Sequence, residues 1–122
     1  EYMLALEKNK NCAKAYKTYS ELLSITGRFD KAREHIKKAI SLDPLSYIYR
    51  FLSSVYYYNT KEYQKALEEN KLALQLVKDH PWSIEQNFFI NLKLGNEQVA
   101  FENFRKLGPQ TLGQFTADHI RI

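Results

Sequence analysis

The sequence predicts an all-α fold built from stacked antiparallel helix pairs, an α-solenoid, and three observations predict it. Apolar residues recur at three- and four-residue spacing, as in Phe29, Ala32, Ile36, Ala39 and Ile40, so they share one helical face. No stretch alternates apolar and polar residues as a half-buried strand does. The pattern also repeats along the chain. Adding 34 to Gly27, Phe29, Ala32 and Ala39 gives Lys61, Tyr63, Ala66 and Ala73, and adding 34 again gives Gly95, Glu97, Ala100 and Leu107. Such a period marks repeated supersecondary units, each able to bury its apolar face only against its neighbours.

The elements follow in order. Counting 34 back from Ile36 and Ala39 reaches Tyr2 and Ala5. Residues 1–8 therefore read as the end of a preceding unit, with Tyr2, Ala5 and Leu6 on one face and Asn9-Lys10-Asn11 as a loop. Repeat one spans 13–44. Its first helix, 13–25, directs Ala15, Tyr16, Tyr19, Leu22 and Leu23 inward, with Ser20 as a small residue. Gly27 supplies the positive φ of a sharp turn. The second helix runs from about 29 to 42 and stops before Pro44, which disfavours helical backbone at Asp43.

Repeat two spans 46–79 and opens with Ser46 as N-cap. A strict 34-residue register would put Arg50 at the inward position of Tyr16, and burying an unpaired charge is costly. A one-residue slide avoids this. It turns Ile48, Tyr49, Leu52, Val55 and Tyr56 inward, with Ser53 at the small position and an extra residue in the turn Asn59-Thr60-Lys61. The partner helix, about 61–78, carries Tyr63, Ala66, Leu67, Ala73 and Leu74, and is longer than its counterpart in repeat one. Repeat three spans 83–108 and opens with the capping-box pattern Ser83-x-x-Gln86. Its helices are 84–94 and 97–107, the second capped by Asn96 and stopped by Gly108-Pro109. Asn87 and Asn91 stand at inward positions. Residues 111–122 form a partial helix or tail through Phe115 and Ile120.

Composition bounds the function. The 122 residues make one domain, 44% hydrophobic and 26% charged, with a net charge of +4. That charge supports solubility more than nucleic-acid binding. Lys8, Lys10, Lys14 and Lys17 cluster, but Glu7 and Glu21 flank them, as on a solvated face. Direct contact with nucleic acid is therefore not expected. No apolar run approaches the roughly 20 residues of a membrane span, and no signal-like start is visible. The lone Cys12 excludes an internal disulfide, and the expected location is cytoplasmic. Chemistry-bearing constellations are missing. His35, His80 and His119 are scattered and read as surface or loop residues. Gly108-x-x-x-x-Gly113 is followed by Gln114 where a phosphate loop needs lysine. No cofactor and no catalytic activity are expected.

The 34-residue period, the small-x-aromatic-x-x-Ala phrase Gly27-Arg-Phe-Asp-Lys-Ala32, and the later Ile36, Ala39 and Pro44 resemble the tetratricopeptide repeat family over nearly the whole chain. The second copy departs from the pattern with Lys61 at the turn glycine, and the third with Glu97 at the aromatic. The resemblance implies a right-handed superhelix whose first-position helices line a concave groove, and a function in protein–protein interaction. Carried across position by position, the groove would comprise Lys14, Lys17, Thr18 and Glu21. In the shifted register the second repeat adds Tyr47, Arg50, Phe51, Ser54 and Tyr58. The third adds Trp82, Glu85, Gln86, Phe89 and Lys93.

The expected partner is a protein segment or helix, partly apolar and somewhat acidic. Some family members grip chaperone tails with a lysine-asparagine-arginine clamp. Lys17 matches one clamp position, but Glu21 replaces the asparagine and Gln86 the arginine, which disfavours that role. The alternative the resemblance leaves open is a regulatory or sensory module of a larger signalling protein, such as a bacterial transcription regulator or cyclase. Apolar residues near both ends, among them Leu4, Leu6, Phe115 and Ile120, also lead to an expectation of self-association through uncapped ends or of continuation into a larger protein.

Overall fold

The computed structural model describes residues 2–105, with side chains from Lys8 onward. Six helices follow one another: α1 (Tyr2–Ile25), α2 (Phe29–Leu42), α3 (Tyr47–Asn59), α4 (Tyr63–Leu76), α5 (Pro81–Lys93) and α6 (Glu97–Phe104). They pair as α1–α2, α3–α4 and α5–α6, and each pair packs on the next. No strand occurs among the described residues. The expected stop at Gly108-Pro109 and the partial helix at 111–122 lie outside them, as do the side chains of Tyr2, Leu4, Ala5 and Leu6.

The helix crossings are built on small side chains. Ala32, Ala39, Ala66, Ala73 and Ala100 are fully buried, as are Ser20 and Ser54. Ile36, Ile40, Leu23, Tyr49 and Tyr56 close the first core around Ala32 and Ala39. Two further clusters continue it, one with Ala66, Leu67 and Ile90, the other with Ile84, Phe88 and Ala100. One repeat on from Ile36, the core holds Asn70 instead. Its side-chain amide donates to the Ser83 carbonyl at 2.8 Å and so ties α4 to α5. Asn87 and Asn91 are buried too. They satisfy each other at 2.6 Å, with Asn103 of α6 also donating to the Asn87 Oδ1 atom.

Several expectations are corrected here. The loop predicted at Asn9-Lys10-Asn11 does not form, and α1 runs through it unbroken. Two asparagines cost a helix only a few tenths of a kcal/mol each. Without glycine or proline, helical propagation from both sides carries across them. Residues 2–8 are therefore a continuation of α1, not a separate preceding helix. α4 is no longer than α2, since both have 14 residues; left-handed Lys61 and Asp79 bracket it. α5 begins at Pro81 rather than beyond Ser83. Proline suits the first helical turn, where its missing N–H is no loss. The His80 ring accepts the Trp82 N–H at 3.2 Å and caps the helix. Ser83 is no cap; it is fully buried inside the helix.

The slide proposed for repeat two is also overturned. Gly27, Lys61 and Gly95 are spaced 34 apart, and all three have positive φ, at 79°, 65° and 82°. Each turn closes with the same bond five residues back: Arg28 N–H to Leu23 at 2.9 Å, Glu62 to Tyr57 at 3.0 Å, and Asn96 to Asn91 at 2.8 Å. No residue is gained or lost. Ser54, not Ser53, follows Ser20 at the small crossing position, and its hydroxyl donates to the Ala66 carbonyl at 2.7 Å. Tyr49 and Tyr56 are buried as expected, but against the preceding pair, in the cluster of α1 and α2. A helix in the middle of a stack has two buried faces. The slide explained with one face what the second face does.

Arg50 takes the position that the slide was meant to avoid. Its charge is matched by Glu69 at 2.9 Å, and its side chain keeps 25% of its exposure. The pair lies at a cleft of about 570 Å³ between α2 and α4, shared with Arg33, Glu34 and Lys37.

Lys61 holds a left-handed backbone with a side chain attached. L-residues pay about 1 kcal/mol or more for that conformation, while a glycine there gives back part of the gain through a looser unfolded chain. Lys61→Gly is expected to raise stability by a few tenths to about 1 kcal/mol, read as a higher urea midpoint at unchanged slope.

Candidate partner-binding surface

The first helices of the three pairs, α1, α3 and α5, are joined by side-chain hydrogen bonds. The hydroxyls of Ser20 and Tyr56 share one at 3.0 Å between α1 and α3. Between α3 and α5, the Ser83 hydroxyl donates to the Tyr47 hydroxyl at 3.0 Å. The Gln86 amide donates to the Ser54 hydroxyl at 3.3 Å. Since the Nδ1 atom of His80 accepts from the Trp82 N–H, the Tyr47 hydroxyl donates to that atom, 3.0 Å away.

Around this network four rings gather. Tyr47 stacks on His80 at 4.4 Å and on Phe51 at 6.0 Å. Phe51 meets Trp82 at 5.9 Å, and Trp82 stands edge-on to His80 at 5.1 Å. Trp82 remains 53% exposed, whereas Phe51 is half-buried. The aromatic surface thus rests on hydrogen bonds between the first helices, and exposed aromatics are common anchors of a protein interface.

The sequence-predicted groove residues do not all join this surface. Phe51, Trp82 and Gln86 do. Lys14 and Thr18 are exposed on α1, and Lys17 pairs with Glu21 at 2.9 Å. Glu85 is half-buried and Lys93 is exposed. Tyr47 and Ser54 are buried and present nothing to a ligand. Arg50 belongs to the cleft between the second helices. Tyr58 packs edge-on against Tyr63 at 5.4 Å, and Phe89 against Phe88 at 5.3 Å.

With the strict register restored, the counterparts of Lys14, Lys17, Thr18 and Glu21 are Ile48, Phe51, Leu52 and Val55, all half-buried. The middle of the surface is thus apolar and its α1 end basic. His80 is no loop bystander, and its place directly before Pro81 and an apolar run is the sequence signal that it caps a helix. Among the described residues no group of His, Cys, Asp or Glu could hold a metal ion, and no helix is long and apolar enough to cross a membrane.

No family model matches the sequence, and no curated protein aligns with it. Solved structures do. The Arabidopsis OM64 TPR domain matches with a TM-score of 0.81 at 17% identity, over 90% of this chain and 95% of that one. The fold is the tetratricopeptide-repeat fold. The N-terminal domain of stress-induced protein-1 from C. elegans matches at a TM-score of 0.77 and 16% identity, over 89% and 95% of the two chains. The second TPR of Spaghetti (RPAP3), solved bound to the HSP90 peptide SRMEEVD, matches at 0.76 and 18%, over 88% and 95%. In the tetratricopeptide-repeat frame, the bonded layer of α1, α3 and α5 is the layer of first helices.

Burial raises the pKa of Tyr47 and of Tyr56, against a smaller lowering by their hydrogen bonds to Ser83 and Ser20. Burial likewise raises Tyr49 and Tyr58. A raised folded-state pKa on an acid means that the folded chain holds the proton longer than the unfolded one. The stability is fully present below the unfolded value of about 10 and falls as pH rises through it toward the higher folded values. Thermal unfolding followed from pH 8 to pH 11 is expected to stay level up to about 10 and then drop. Tyr56→Phe should make the drop shallower.

Proposed function

We propose that this domain is a non-catalytic interaction module that binds a peptide or helix of another protein on the face of α1, α3 and α5. The observation that carries the reading is the exposed Trp82 ring set against Phe51 over a hydrogen-bonded base. The tetratricopeptide-repeat fold supports it, since the second TPR of Spaghetti was solved with a peptide bound.

The ligand differs in kind from an acidic tail gripped by a basic clamp. Lys17 is already engaged by Glu21, and Gln86 is spent on Ser54. The apolar middle, from Ile48 to Val55, asks for an aromatic or aliphatic side chain beside Trp82. Lys14 adds attraction for a flanking acidic residue, felt mainly in the association rate.

Trp82 is the only tryptophan in the chain, so its emission reports occupancy directly. Peptides selected from a displayed random 12-mer library should combine an apolar anchor with acidic flanks and shift that emission. Phe51→Ala should weaken them by about 1–2 kcal/mol or more, as hot-spot truncation does, at unchanged helix content. Trp82→Ala, followed with a labelled peptide, should do the same. Peptides that bind both variants as tightly as the parent would remove the surface from consideration.

A further inference from the structure

The cleft of about 570 Å³ between the second helices α2 and α4 has the size that small molecules occupy. α3 turns Arg50, Ser53 and Tyr57 toward it, three residues that share one helical face. Its charges balance, with Arg33, Lys37 and Arg50 against Asp30, Glu34 and Glu69. They are not equally engaged. Arg33 is fixed by Asp30, Glu62 and Thr60 and lies over the Tyr57 ring. Arg50 and Glu69 meet through one nitrogen and one oxygen, 2.9 Å apart, and their side chains make no other hydrogen bond among the described residues. Yet those side chains keep only 25% and 21% of their exposure. A guanidinium has five N–H donors and a carboxylate two acceptor oxygens. The pair therefore offers an open cationic edge beside an open anionic oxygen, both largely withdrawn from water.

Ser53 is a second, independent sign. Of the buried serines, Ser20, Ser54 and Ser83 donate to protein oxygens. Ser53 is 4% exposed, lines the cleft, and has no hydrogen-bond partner among the described residues. Among those residues the one sealed polar side-chain atom without a partner is the Oδ1 atom of Asn70. The Ser53 hydroxyl is therefore not sealed, and it opens on the cleft.

We propose that this cleft is a second binding site, for a free amino acid. The ligand's carboxylate lies on the open edge of Arg50 and on the Ser53 hydroxyl, and its ammonium on the free oxygen of Glu69. The lining asks for a group of both signs. An anion alone would face Glu34 and Glu69, and a cation alone would face Lys37 and Arg50. An amino-acid head group carries its two charges one carbon apart, so it aligns against the Arg50–Glu69 pair with each charge on its opposite. Hydrogen bonds between such charged groups are the strong ones. The rest of the cleft, with Ile40 and Tyr57 in its lining, is left for the ligand's side chain.

Titration calorimetry of the 122-residue chain with each standard amino acid at millimolar concentration tests it. At least one should bind. The matching amine without the carboxylate, and the matching acid without the ammonium, should bind at least tenfold more weakly. Ser53→Ala should weaken the amino acid by roughly three- to tenfold, the worth of one hydrogen bond, without loss of thermal stability. Replacing both partners, Arg50→Gln with Glu69→Gln, removes both charges and leaves no lone buried ion; it should abolish binding at unchanged helix content. If that double variant fails to fold, Ser53→Ala and the single-charge analogues decide. Trp82 does not line the cleft, so library peptides should shift its emission equally in parent and variants, and the two sites stand or fall separately. Absence of binding by every amino acid, equal binding of a single-charge analogue, or full affinity in either variant overturns the proposal.

Discussion

Close approach of helices at small side chains is the constraint on which the rest of the structure depends. Ala32, Ala66 and Ala100, with Ser20 and Ser54, leave room for one helix to cross another with no side chain between. Interiors pack to near crystalline density, so a larger residue there has nowhere to go. Once the crossings are set, the larger residues are distributed around them. Ile36 and Ile40 close the first pair, Tyr49 and Tyr56 bind it to the second, and Ile90 binds the second to the third.

Because each middle helix buries two faces, the polar groups that fall inside must find partners there. They do so locally. Ser54 donates to the carbonyl of Ala66, the very residue that it crosses. Asn70 reaches the Ser83 carbonyl of the next pair. Tyr56 and Tyr47, too long to end in the core, place their hydroxyls on serines of the neighbouring first helices. This polar stitching fixes the spacing of α1, α3 and α5, and so holds Phe51 and Trp82 where a partner can meet them.

The fold was legible because it rests on period and spacing. Gly27, the alanines and Pro44 announce a helical hairpin, and the return of the pattern at Lys61, Tyr63, Ala66 and Ala73 announces a stack. The fine register of the second repeat was not legible. A helix that buries two faces shows no clean amphipathic stripe, and Arg50 at an inner position looks forbidden until Glu69 is seen beside it. The same ambiguity misplaces Ser54 and Tyr47 into the candidate groove. The break expected within α1 has a different origin: asparagines look like a loop, but only glycine or proline reliably breaks a helix that is supported on both sides. Phe51 enters the candidate groove through the mistaken slide, and Trp82 and Gln86 through the strict spacing; in the strict register the three stand at the positions of Lys17, Lys14 and Thr18.

The most direct test of the small-residue crossings compares one substitution at two sites. Ala66 is fully buried where α3 meets α4, and Ala15 is exposed on α1. Chemical denaturation at low protein concentration should show Ala66→Leu destabilised by about 1–3 kcal/mol through overpacking. Ala15→Leu should change stability by no more than about 0.5 kcal/mol. Equal tolerance at the two positions would contradict the account.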